Sequence, residues 1–345
     1  MEFYILDKSR QLVGVMDYFK SAIWTPRYYD VGDFELYISA SNEVLEMMQE
    51  DFYVTRLDDD MACIIETVQL NTDAEEGSYV TVTGRCAKSI LSRRIVWSQT
   101  ILSGTVEDCI RQLITENVIS PADENRKIDN FILGEHKGFT ETMSMQVTGD
   151  NLLETITKIC QTYEYGFNVT ISSGNFIFDL YKGADRSANQ SENPRVLFSP
   201  DLDNMISVNY HRTKTNFKNV ALVAGEGEGL DRKTTSVGEA TGLDRYEMYV
   251  DARDISTNNG EIDDATYISM LAAKGDESLA ENVITTSFAG EVEPSVNYTY
   301  KVDYHLGDKV QIKNEYGITA SPRIIEMIEC EDDTGYSVTP TFEEV

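Results

Sequence analysis

The sequence predicts an α+β fold rich in strands, and three observations predict it. Both ends of the chain read as successions of short strands, the middle carries two helices of clear amphipathic period followed by a hairpin, and a third helix interrupts the C-terminal strands. At 345 residues the chain exceeds one ordinary core, so two or three domains are expected.

The first segment, to about Trp97, reads Phe3 to Leu6, Ser21 to Tyr28, Phe34 to Ile38, Phe52 to Leu57, Met61 to Leu70 and Tyr79 to Arg85 as strands. Asp58-Asp59-Asp60 and Glu75-Glu76-Gly77-Ser78 are turn signals, and Met61 to Leu70 with Tyr79 to Gly84 reads as one long antiparallel pair. A short helix from Ser41 to Glu50 turns Val44, Leu45 and Met48 to one face, with Ser41 or Asn42 as its cap. This segment suits a small barrel or a sandwich.

From Ile101 to about Tyr181 the period changes. Val106, Cys109, Ile110, Leu113 and Ile114 recur at helical spacing, with Thr105 as cap and Asp108 three residues on. A second helix runs from about Asn151 to Gln161 with Asp150 at its start, and Ser173-Gly174 then joins Gly166–Ser172 to Asn175–Tyr181 as a hairpin. Asp185 to Pro194 has a linker's composition. Strands resume at Leu202 to His211 and Phe217 to Ala224. Asp263 to Ala280 is helical, with Ala265, Ile268, Leu271 and Leu279 on a face, and Ser295 to Phe342 is again strands. No sequence repeat stands out, although two strand-rich segments around α+β material suggest one in structure.

Two stretches imitate phosphate loops and fail for physical reasons. Val220 to Ala224 runs apolar, as for a strand covered on both faces, into Gly225-Glu226-Gly227-Glu228-Gly229, where two carboxylates would repel a pyrophosphate and no helical period follows. Gly84-Arg85-Cys86-Ala87-Lys88-Ser89 lacks the glycine that must precede the lysine. It reads instead as a strand end and a short helix burying Ile90 and Leu91, with Arg93 and Arg94 exposed to meet acidic surface.

Composition narrows the classes further. There are 29 basic and 59 acidic side chains, a net charge of -30 spread along the chain, a field that repels nucleic acid and anionic membrane. No apolar run approaches the roughly 20 residues of a bilayer span, and the N-terminus lacks signal-peptide character, so membrane insertion is not expected and synthesis in the cytoplasm is. Cys63, Cys86, Cys109, Cys160 and Cys330 are odd in number and widely spaced, reading as reduced core residues. His136, His211 and His305 lie apart from one another and from the cysteines, so neither a metal nor a cofactor is expected.

The order of parts resembles the hub proteins at the tips of bacteriophage tails. The resemblance is to the siphophage family corresponding to the N-terminal part of tail-associated lysins, itself similar to the central baseplate hub of contractile-tailed phages. It is carried by Trp24 with Tyr28-Tyr-Asp-Val-Gly32-Asp-Phe-Glu-Leu36, by Val82-Thr-Gly84 leading to Leu91-Ser-Arg-Arg94, and by Asn219 to Gly229 with Arg232. Tyr249-Val-Asp-Ala-Arg-Asp-Ile255 and Leu306-Gly307-Asp308-Lys-Val310 extend it over almost the whole chain.

The resemblance implies two small β-barrel domains with an interleaved α+β domain. Residues 1–97 would form the first barrel, 98–199 and 241–290 the α+β domain, and 200–240 and 291–345 the second barrel. It also implies a homotrimer whose two barrels per chain make a ring of pseudo-sixfold symmetry, partnered by the distal tail protein and the tape-measure protein. DNA would pass through this ring without specific binding, along an acidic wall. The expected location is the virion tail tip, and a host receptor remains open among the partners. Longer relatives carry peptidase or glycan-cleaving domains beyond the hub; stopping at Val345, the chain is not expected to lyse cell walls.

No catalytic residue is assigned. Among 59 acidic side chains any pair can be imagined as a glycosidase dyad, and no Gly-x-Ser-x-Gly elbow is present. The competing reading is a tail-tip receptor- or carbohydrate-binding module, with Tyr28, Tyr29, Tyr163, Tyr165, Tyr298 and Tyr300 as candidates for stacking on sugars.

Overall fold

The computed structural model describes residues 1–73, 77–205, 207, 209–289, 292–293 and 296–343. The turn residues Glu75 and Glu76, Ser295, and residues 344–345 fall outside this set. Both ends of the chain contribute to one antiparallel sheet of eight strands. Its order is Asn209–Thr213, Thr285–Ala289, Gly335–Glu343, Arg323–Asp332, Ser21–Thr25, Asp33–Ser39, Gly77–Arg85 and Thr67–Asp73.

Over the N-terminal half of this sheet lies a smaller one, ordered Leu12–Met16, Phe3–Leu6, Tyr53–Thr55 and Ala62–Ile64. Alternation along the strands sends Phe3, Ile5 and Val54 from one sheet and Trp24, Phe34, Leu36 and Val82 from the other into a shared core. Helix α1 (Asn42–Met47) adds Val44, with the Ser41 hydroxyl accepting the Val44 N–H. Among the described residues no sheet closes on itself, and this unit is two open sheets packed face to face. Met61 to Leu70 is therefore not one strand: Ala62–Ile64 belongs to the small sheet and Thr67–Asp73 to the large one. Where the chain crosses between them, the Ile64 carbonyl lies so near Gly84 that a Cβ there would meet its oxygen at 1.8 Å.

The α+β unit is built as its periods require. In α2 (Val106–Ile114) the Thr105 hydroxyl accepts the Asp108 N–H, and the Asp108 carboxylate takes the Thr105 hydroxyl rather than its backbone. Helix α3 (Leu152–Tyr163) is capped by Asn151, not Asp150. The hairpin Gly166–Ser172 with Asn175–Tyr181 turns on Ser173 and Gly174, both left-handed at φ 50° and 75°, as a two-residue turn of matching twist demands.

Residues 220–280 depart most from expectation. Val220–Ala224 pairs with Thr234–Val237 and Glu247–Asp251, and helix α4 (Asp264–Ala280) covers one side of that sheet with its own small core. Four of the five residues in the run are buried, Val220 and Ala224 on the face away from α4 included, and Leu222 in the middle of that face is 48% exposed. The inward residues of α4 are Tyr267, Met270 and Leu271, while Ala265 and Ile268 face solvent. All five cysteines are free; four are buried and Cys330 is half-buried.

Candidate functional site: an open sheet with two free edges

The two stretches that imitate phosphate loops are occupied by the chain itself. Arg232 donates to the carbonyls of Gly225 and Ala224, both at 2.9 Å, and to Asp251 at 2.7 Å, while the Glu226 N–H is given to the Tyr267 hydroxyl. Arg253 and then Arg232 hold the Asp251 carboxyl down at about 2. In the other stretch Lys88 is buried, and its ammonium donates to the carbonyls of Arg27, Tyr28 and Asp30 at 2.6, 3.3 and 3.1 Å. Burial pushes its pKa below the ordinary lysine value. Both are internal fastenings.

Three of the residues that carried the family resemblance, Tyr28, Gly307 and Asp308, sit at joints between units. The Tyr28 hydroxyl donates to the Glu164 carbonyl at 3.0 Å and accepts the Gly183 N–H at 3.2 Å. A Cβ on Gly307 would strike the Tyr28 ring at 2.3 Å. Asp308, buried, accepts from the Ala184 N–H and from Arg186, both at 2.7 Å. Arg323 donates to the Gly307 carbonyl and to Glu164 at 2.6 and 2.5 Å. A cleft of about 860 Å³ opens between the units, and most of its carboxylates are paired, Asp58 with Arg56, Asp59 with Lys301, Asp308 with Arg186 and Asp179 with Lys137. Sequence reasoning did not find Lys88 or Arg323 as fastenings, because only the fold brings their carbonyl and carboxylate partners to them.

The eight-stranded sheet has one face committed to the cores and one open. The open face carries Ser21, Thr81, Thr83 and Thr339 with Asp33 and Glu35, all half-buried, beside Ile23, Tyr37 and the exposed Arg85, and Asp33 is paired with Arg27 at 2.5 Å. Its two halves repeat one topology. Numbered along the chain, Ser21–Thr25, Asp33–Ser39, Thr67–Asp73 and Gly77–Arg85 lie in the order 1-2-4-3; so do Asn209–Thr213, Thr285–Ala289, Arg323–Asp332 and Gly335–Glu343. The fourth strands are both nine residues long, start on a glycine in the left-handed region (φ 92° and 129°), and share Gly-x-x-Val-Thr-x-Thr at 77–83 and 335–341. This is the repeat the sequence reading missed, hidden by its brevity and by 251 residues between copies.

The halves are joined head to tail: the third strand of the C-terminal half pairs with the first strand of the N-terminal half, Glu329 opposite Trp24. Among the described residues, that leaves Thr67–Asp73 and Asn209–Thr213 as the sheet's outer strands. Neither contains a proline or a bulge, and exposed strand edges of this kind are templates for further pairing.

Comparison with known proteins adds the family. The siphovirus ReqiPepy6 Gp37-like family matches residues 2–342. The chain belongs to that family. Comparison with curated protein sequences finds no match. Among solved structures, this Gp37-like chain is similar to the tail protein from Neisseria meningitidis MC58, at 12% identity and a TM-score of 0.61, covering 99% of this chain and 96% of that one. The 43 kDa tail protein of prophage MuSo2 from Shewanella oneidensis gives 12% and 0.60, covering 100% and 98%. Prophage tail protein gp18 from Listeria monocytogenes EGD-e gives 12% and 0.57, covering 100% and 95%. At such identities the likeness speaks to fold, and the shared fold is that of phage tail proteins.

The sugar-stacking candidates of this Gp37-like chain fare poorly. Tyr28, Tyr29 and Tyr165 are buried and present no ring face to a sugar, while Tyr163, Tyr298 and Tyr300 are half-buried, Tyr300 lining the cleft between the units. Among the described residues no three His, Cys, Asp or Glu side chains converge as a metal site, and no helix is long and apolar enough to cross a membrane.

Proposed function

We propose that the chain is a structural component of the phage tail tip, forming a homotrimeric hub ring that adapts a six-fold tail to a three-fold tip. The observation that carries this reading is the head-to-tail repeat within one sheet. Each chain offers two four-stranded units of the same order, so three chains offer six. A heterologous contact repeated by rotation closes into a ring, and a unit count of six matches a hexameric tail without a symmetry break at the level of the strands.

In this reading the open, hydroxyl-rich and acidic face of the sheet lines the channel, since the opposite face is filled by the cores. It would let tape-measure protein and DNA pass without adhering, because like charge repels phosphate. Each half-sheet with its covering elements corresponds to one barrel domain of the family. The division at 1–97, 98–199 with 241–290, and 200–240 with 291–345 is carried forward with three changes: 220–240 goes with 241–280, whose core it shares, Thr285–Ala289 joins the second barrel as a strand of its half-sheet, and Val196 and Phe198 join that barrel's core. The distal tail protein is the partner on the tail side, the role is without catalysis, and the location is the virion tail tip.

Light scattering across a concentration series tests this. A mass of 38.9 kDa marks a monomer, and the hub predicts roughly three times that, alone or with the distal tail protein added. A chain that stays monomeric under both conditions refutes the hub.

A further inference from the structure

The two free edges need not be treated as generic sticky strands, because the joint inside the chain supplies a template for them. We infer that Thr67–Asp73 of one copy pairs antiparallel with Asn209–Thr213 of the next, in a register that sets Leu70 opposite Tyr210. The inference rests on the ring reading above and adds to it the surface, the partner and the alignment.

The register follows from superposing the two halves on their shared fourth strand, where Gly77 corresponds to Gly335 and Val80 to Val338. Leu70 lies opposite Val80 and Glu329 opposite Val338, so Leu70 and Glu329 are equivalent. On the other side, Phe34 lies opposite Gly84 and Phe288 opposite Phe342, positions eight along their strands, which makes Phe34 and Phe288 equivalent. Trp24 lies opposite Phe34 and Tyr210 opposite Phe288, so Tyr210 takes the place of Trp24. Inside the chain Trp24 and Glu329 face each other across the joint. Between chains the equivalent pair is Tyr210 with Leu70, flanked by Asn209 with Asn71 and His211 with Gln69.

Three further observations fit. The sheet is antiparallel throughout and has eight strands, so its two outer strands run in opposite directions and a copy related by rotation presents an antiparallel partner. Leu70 and Tyr210 are large side chains left 50% and 38% exposed, while Trp24 and Glu329 at the equivalent internal positions are 0% and 1% exposed. Finally, the bridge Arg27 with Glu326, which extends the internal joint, has its counterpart in Thr213 with Thr67, so the alignment pairs all of Asn209–Thr213 with residues 67–71 without a gap.

The test is cysteine cross-linking in the full chain. Opposed strand residues bring their Cβ atoms to about 5 Å, close enough for an oxidised pair to link after a small adjustment. Leu70→Cys with Tyr210→Cys should give a covalent trimer on mild oxidation, whereas either substitution alone, and the unsubstituted chain with its five free cysteines, should not. Leu70→Cys with Arg212→Cys keeps the same face but shifts the register by two; linking there instead would overturn the alignment. As a measurement independent of oxidation, Leu70→Lys should leave the circular dichroism unchanged and raise the concentration at which the trimer forms about tenfold or more. A trimer by light scattering that neither cross-links at 70 and 210 nor responds to Leu70→Lys refutes this seam while sparing the hub. A chain that is monomeric with the distal tail protein present refutes both.

Discussion

The internal joint and the free edges use the same strand positions and treat them in opposite ways. Inside the chain, Glu329 is buried and takes Arg56 at 3.2 Å, Lys301 at 3.1 Å and the Tyr336 hydroxyl at 2.7 Å, while the Arg56 guanidinium stands 5.7 Å from the Trp24 ring. At the outer edges the equivalent residues are Leu70 and Tyr210, both partly in water. A joint made during folding can bury a carboxylate, because its cations arrive with it. An edge that must remain in water until a neighbour docks gains nothing from a charge that would later need a partner. The difference separates a permanent seam from one that forms on assembly.

The largest expected effect comes from attacking the permanent seam. Arg56→Met leaves the Glu329 carboxylate buried with one cation fewer and should destabilise the chain by about 3 kcal/mol in urea unfolding, since breaking a buried pair strands the remaining charge. Leu70→Lys, in the same assay on monomer, should lie within about 0.5 kcal/mol of the unsubstituted chain. Equal losses would break the comparison. A matched pair of glycine substitutions sharpens it: Gly77→Ala and Gly335→Ala each place a Cβ on left-handed backbone (φ 92° and 129°) and should each cost about 1 to 2 kcal/mol. A large disparity would mean that the two fourth strands are not equivalent.

What could be read from the sequence was whatever depends on local period and turn chemistry. The hairpin at Ser173-Gly174, the Thr105 cap of α2 and the burial of Ile90 and Leu91 were all legible, because each is decided within about ten residues. The strand Leu12–Met16 was missed: Leu12, Val13 and Val15 are exposed, so the segment lacks a one-sided apolar alternation. The inward face of α4 was misjudged because its buried residues Tyr267, Met270, Leu271 and Gly275 are chosen by the sheet it packs on, with Val223 and Val237 pressing against Gly275. The candidate site itself was nearly invisible. Strand pairing between residues some 300 apart, Trp24 with Glu329, leaves no local trace, and the acidic charge suggested a channel wall only through the family resemblance, since no residue pattern says which side chains share a face of the sheet.

The smallest expected effect separates the two seams by pH. The Asp58 carboxylate is partly desolvated, which alone would raise its pKa, but the Arg56 hydrogen bond and the charges of Arg56 and Lys301 outweigh this and hold it below the ordinary aspartate value of 3.8. Its folded pKa is therefore lower than its unfolded one, so its contribution is complete above about pH 4 and is lost as the pH falls through the folded value. With the side chain 62% exposed, that contribution is at most about 1 kcal/mol. Asp58→Asn should lower stability slightly at pH 6, and its difference from the unsubstituted chain should shrink as the pH is taken from 5 toward 2. The edge pairs carry Gln69, Leu70, Asn71, Asn209, Tyr210 and His211, with no carboxylate among them, so the trimer's mass over the upper part of that range, where the chain stays folded, should not follow the carboxylate's slope. If it does, Asp58 and its cations act on the neighbouring copy as well, and the distinction between a permanent and a conditional seam falls.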